Sequence, residues 1–212
     1  MNTIRDWSPR LMLMGGGLFA ALFTLFSLET GGVMPGGSTF FDDHHWFAHL
    51  CEAIAMGPLA VGIAGIYRRY RDRLGRLGRI GAYVAAGGIG IEALAGVFIA
   101  VVEPITGLDT MQGILQGITH GPGVLGNFLG GLLFGIAAVR NDALPRAGAA
   151  PFMALTVVAI LTMFAPIGEA PRLFLPALIA LGWAWLGLVI LKEHPRYQGQ
   201  HAGAAPLEYS YD

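Results

Sequence analysis

With 54% hydrophobic and 13% charged residues among 212, and a mean hydropathy of +0.59, the chain carries about half the charge of a soluble domain. A net charge of −1 argues against a nucleic-acid partner, and the single cysteine, Cys51, excludes an intramolecular disulfide. Cys51 lies in an apolar stretch and reads as a small buried hydrophobe.

The first apolar run, Leu11–Leu28, follows Arg5 and Arg10. It is long for a secretion signal, and Glu29-Thr30-Gly31-Gly32 offers no small-x-small cleavage site, so it reads as a spanning helix. A spanning helix needs roughly 20 mainly apolar residues to cross ~30 Å of hydrocarbon. Further runs at Trp46–Tyr67, Ile80–Val102, Leu115–Val139, Phe152–Ile167 and Leu173–Leu191 meet or approach that length. The fold expected is therefore all-α: a polytopic bundle of six transmembrane helices over residues 1–192, followed by a flexible tail at 193–212, poor in aliphatics. The fifth run is the shortest and is cut by Pro166.

Orientation follows from the cations. Arg5 and Arg10 precede the first run; Arg68, Arg69, Arg71, Arg73, Arg76 and Arg79 fill the second connection; Arg140 and Arg146 lie in the fourth; Lys192 and Arg196 follow the sixth. The opposite side carries Glu29, Asp42, Asp43, Glu103, Asp109 and Glu169, with Arg172 as its one cation. Both termini are expected in the cytoplasm, in a bacterial-type inner membrane. The stretch Arg68–Arg79 reads first as a topology determinant and, alternatively, as a polybasic site for anionic lipid.

Two runs share a pattern, Gly57-Pro58 followed by Gly62 and Gly121-Pro122 followed by Gly126. Each proline lacks an N–H and frees a carbonyl one turn back, so kinks are expected there. Gly126, Gly130, Gly131 and Gly135 make small-xxx-small repeats, and Gly87, Gly88, Gly90 and Gly96 enrich the third run. Close helix approach within the bundle is the first reading; contact with a membrane-protein partner or a second copy, or a groove for a flat ligand, are the others.

Ionisable residues inside a membrane cost roughly 2.5 kcal/mol or more at its centre, which makes them the candidates for chemistry. His45, His49, Glu52 and Met56 share one face of the second run, Glu92 and Glu103 one face of the third, and His120 and Asn127 one face of the fourth. Converging, these stripes would line an outward-facing site. Glu52, Glu92, Glu103 and Asn127 are its expected ligand- or proton-binding residues, while His45, His49 and His120 are candidates for a divalent metal or, for His49 with His120, haem. Each has a plainer alternative: a hydrogen-bonded interfacial histidine, or a protonated Glu92 bonded to a backbone carbonyl or to Asn127. Phosphate-binding loops, nucleophile elbows, metalloprotease helices and haem-attachment motifs are absent from the sequence, so no catalytic residue is assigned.

Pro35-Gly36, Gly96-Val97-Phe98 and His120-Gly121 together resemble the uncharacterised bacterial six-helix membrane proteins grouped with the eukaryotic DRAM family. The resemblance implies topology rather than activity, and does not extend to the acidic, His-rich stretch 42–49. Three functions fit: a site for a proton, metal ion or small amphiphile, in transport or binding; a haem- or metal-bearing redox protein; or an accessory subunit of a membrane complex.

Overall fold

The computed structural model describes residues 3–30, 45–106, 118, 122–165 and 174–202, with backbone alone at 3–5, 30, 45, 103, 106 and 194–202. Every regular element among them is helical. Helix α1 runs Thr3–Thr30. A helical stretch His45–Thr106 follows, 62 residues long and broken at Gly75, where φ is 65° and ψ −167°. Such dihedrals are essentially reserved for glycine, because a Cβ there meets the adjoining peptide groups. Gly75 thus divides the stretch into α2, residues 45–74, and α3, residues 76–106. Helix α4 is Pro122–Arg140, α5 Arg146–Phe164 and α6 Leu175–Ala202.

Contacts between α2 and α3 fall symmetrically about residue 75. The rings of Tyr67 and Tyr83 lie 5.2 Å apart, and a Cβ on Gly90 would stand 3.9 Å from Ala60. One on Gly96 would come within 2.8 Å of the His49 carbonyl and 3.2 Å of Ala53. This is an antiparallel helical hairpin. The arginine-rich connection expected between the second and third runs is therefore not a loop: its residues continue both helices to within one residue of the turn.

Glycine sets the spacing of the remaining pairs in the same way. Gly15 meets Ala55 and Leu59 across α1–α2, Gly88 meets Gly126 across α3–α4, and Gly135 meets Met153 across α4–α5. Gly148 meets Leu186 and Val189 across α5–α6, and Gly187 meets the Pro9 carbonyl across α6–α1. Each neighbour is antiparallel to the last, and α6 closes on α1. With so little hydrophobic gain available between apolar helices in lipid, close backbone packing is what holds such a ring together.

The core is aliphatic and aromatic, with Trp183 wholly buried between Phe134, at a ring-centroid distance of 5.5 Å, and Phe152, at 4.2 Å. Outward faces carry Met14, Leu94, Leu161 and Phe164, all exposed. Hydroxyls turn back onto their own helices: Thr24 donates to the Ala20 carbonyl at 2.8 Å, Thr156 to Phe152 at 2.9 Å and Thr162 to Val158 at 2.6 Å. An apolar outer surface, with these hydroxyls bonded to their own helices, suits lipid as solvent. Five helices are long and apolar enough to cross a membrane, one of them the 57-residue reach Trp46–Val102 that bends at Gly75.

Several boundaries differ from those read in the sequence. Helix α1 starts eight residues earlier than Leu11. Helix α5 begins at Arg146 and stops at Phe164, since Ala165 takes the extended conformation (φ −70°, ψ 149°) that a following proline imposes. Helix α6 continues to Ala202 through the first part of the segment read as a tail; residues 203–212 lie outside the described ones. Helical dihedrals persist through Pro58. In α4 the irregularity comes after Pro122, as a π-helical turn at Gly126–Gly130.

Candidate functional site

Glu92 lies on the face of α3 that packs against α4, and it is buried, with 7% of its surface exposed. The α3–α4 register pairs Gly81 with Phe134, Ala85 with Gly130, Gly88 with Gly126 and Glu92 with Gly123. Smaller residues on both sides let the backbones touch. At the last step the seam admits a carboxyl instead, because Gly123 has no side chain: a Cβ there would overlap the Glu92 carboxylate. Glycine thus shapes a recess for one acid, a relation that depends on which residues the two helices bring level.

One turn from Gly123, Asn127 is 5% exposed and sits in the π-helical turn. Its Oδ1 accepts a hydrogen bond of 3.0 Å from the Trp183 indole N–H on α6. A π turn adds a residue to the helical circuit and re-aims side chains, which is why such turns recur at functional positions. Here it directs the one buried asparagine of α4 at the largest aromatic of the core. Trp183 therefore supplies a partner that sequence spacing did not point to, while Trp185, two residues on, is exposed and donates to the Ala147 carbonyl at 2.8 Å.

His49 and Glu52 form a second polar locus on α2. Their Nδ1 and Oε2 atoms are 3.3 Å apart, with side-chain exposures of 13% and 17%. The His49 backbone packs against Gly96, four residues from Glu92 on α3, so the levels of His49 and Glu92 differ by about 6 Å along the helix axis. Met56, expected on the same stripe, is buried at 2%.

Other expected site residues fall elsewhere. The side chains of His45 and Glu103 and the whole of His120 lie outside the described residues, as do Pro35-Gly36 and His120-Gly121. Among the described residues no group of three His, Cys, Asp or Glu gathers as a metal site would require, and the proposed His49–His120 haem pair lies outside what they can test.

The opposite end of the bundle is cationic. Arg69 and Arg73 at the end of α2 share a cleft with Arg146 and with Glu193 of α6. The Asn141 amide donates a 3.1 Å hydrogen bond to the Leu74 carbonyl, tying the α4–α5 turn to the last turn of α2 beside Gly75. Arg146 donates to both Asp142 carboxylate oxygens, at 2.8 and 3.0 Å, and these bonds, then the guanidinium charge, hold the Asp142 carboxyl below its ordinary range. Comparison with protein-family models, curated proteins and solved structures finds no match for the chain.

Proposed function

We propose that the chain is an integral protein of a bacterial-type inner membrane that crosses it six times, with both termini and the arginine-rich end in the cytoplasm, and that it handles protons at Glu92. Counting α2 and α3 as separate spans rests on length: 57 residues of helix extend about 85 Å, close to three times a ~30 Å hydrocarbon slab. The inward direction rests on the clustering of Arg68, Arg69, Arg71, Arg73, Arg76 and Arg79 around one turn, with Arg140, Arg146 and Lys192 at the same end.

The observation that carries the proton reading is the recess itself. A carboxyl inside the bilayer costs roughly 2.5–3.5 kcal/mol when charged, and a helix seam that makes room for one by giving up a side chain at Gly123 holds it at that cost. Ionisation at Glu92 is thereby coupled to water reaching the α3–α4 seam. His49 and Glu52, nearer the arginine-poor end, form a pair able to pass a proton between imidazole and carboxylate. In this reading they are the entry and Glu92 the inner station.

Reconstitution into liposomes with an entrapped pH dye tests it. Wild type is expected to dissipate an imposed pH gradient, Glu92→Gln to lose at least 90% of that flux (roughly 1.4 kcal/mol in the barrier) with helicity unchanged, and His49→Ala to slow it. A wild type that leaves the gradient intact, or a Glu92→Gln protein that matches it, contradicts the proposal.

A further inference from the structure

The cationic end holds a feature that neither topology nor proton handling uses. A cleft of about 620 Å³ opens between the last turns of α2, the α4–α5 turn and the end of α6. Its charges are unequally committed. Asp142 and Arg146 are joined by two hydrogen bonds, and Asp72 lies 3.6 Å from Arg71. Arg69 is different: its guanidinium lies 5.5 Å from the Tyr70 ring centroid, and its Nη1 is buried with no hydrogen-bond partner among the described residues. Arg73 lines the same cleft.

A guanidinium carries five N–H donors in a rigid fork, and leaving one buried without an acceptor costs about as much as the hydrogen bond it forgoes, ~1–3 kcal/mol. No neutral side chain nearby bonds the Arg69 Nη1; of the carboxylates lining the cleft, Asp142 is held by Arg146, Asp72 is solvent-exposed beside Arg71, and Glu193 makes no hydrogen bond to this nitrogen. An anion with several oxygens supplies such an acceptor and meets Arg69 and Arg73 from one centre. A phosphoryl group has that form and matches the guanidinium fork. The location agrees, since the apolar span of α6 ends at Glu193 in the cleft and the arginines of α2 enter the helix at the same end, near the level of lipid phosphates in a six-span protein.

We infer that this cleft binds a phosphoryl anion through Arg69, with Arg73 assisting, and that this binding is independent of Glu92. Protein purified in a non-ionic detergent is titrated with inorganic phosphate, at constant ionic strength against chloride, and separately with phosphatidic acid and phosphatidylcholine in the micelle, reading thermal midpoint and bound lipid by native mass spectrometry. Phosphatidic acid, inorganic phosphate or both are expected to bind saturably. Lipid binding without phosphate competition identifies a headgroup site; competition by free phosphate identifies a soluble phosphoryl ligand. Arg69→Gln is expected to weaken the effect at least tenfold and Arg69→Lys to weaken it less, whereas Arg68→Gln, exposed and outside the cleft, leaves it unchanged. Wild type that binds neither probe overturns the inference, as do equal losses in Arg68→Gln and Arg69→Gln, which would show charge without a site.

Discussion

Between Glu92 and Gly123, one side chain exists because another does not. Replacing Gly123 by Ala sets a methyl against the Glu92 carboxylate and is expected to destabilise the bundle by ~1–3 kcal/mol, the usual cost of forcing an extra group into a packed seam. Thermal unfolding in detergent reads the loss, and pairing it with Glu92→Ala should recover most of it; a double variant as unstable as the sum of the two singles would deny the contact. Glu92 was legible in the sequence as an acid inside an apolar run. Gly123 was not, being one glycine among 32, since its role appears only once α3 and α4 are set level. Asn127 shows the same limit. Sequence spacing offered it, or a backbone carbonyl, as a partner for Glu92, but did not show that its Oδ1 accepts from Trp183, a residue 56 positions away on a helix whose rotation spacing alone does not specify.

At the scale of elements, the turn at Gly75 decides whether one long helix becomes two. Gly75→Ala forces a side chain into dihedrals that only glycine adopts freely, at about 1–3 kcal/mol, and the strain falls where Asn141 closes on the Leu74 carbonyl. A lowered midpoint with no change in total helicity is the expected signature; an unchanged midpoint would mean the turn tolerates a Cβ. The neighbouring α4–α5 turn gives a pH test. Asp142 is held below its ordinary range by Arg146, so its folded value is depressed relative to the unfolded chain. Its contribution is then complete above the unfolded-state range and fades as pH falls through the folded value. The gap in thermal midpoint between wild type and Asp142→Asn should be present at neutral pH and close below about pH 4. Both groups are solvent-exposed, so the gap is small; one that persisted unchanged into acid would place the effect elsewhere. Element existence could be read from apolar run length, but the ends could not. A helix entered in water at Thr3, or carried through a run of arginines to Gly75, shows no apolar signal there.

Over the whole molecule, the alternation of cations between connections predicted that the odd and even ends of the helices would separate by charge. The structure gathers Arg69, Arg73 and Arg146 at one end together with Asp72, Asp142 and Glu193, and places His49 and Glu52 at the other end of α2, while Asp42, Asp43, Asp109 and Glu169 of the opposite connections lie outside the described residues. Closure of the ring by α6 on α1 had no counterpart in the sequence. It depends on Gly16 against Ala180 and Gly187 against Pro9, contacts between residues far apart in the chain. These close approaches place the outer limbs of the proposed six-span bundle. The most direct test of that bundle is accessibility of single cysteines in intact cells, in a Cys51→Ala background, to a membrane-impermeant maleimide. Cysteines at positions 72 and 142 should react only after the membrane is permeabilised, and one at position 109 without it; labelling at 72 from outside would contradict a cytoplasmic arginine-rich end, and 72 and 109 behaving alike would contradict two crossings joined at Gly75.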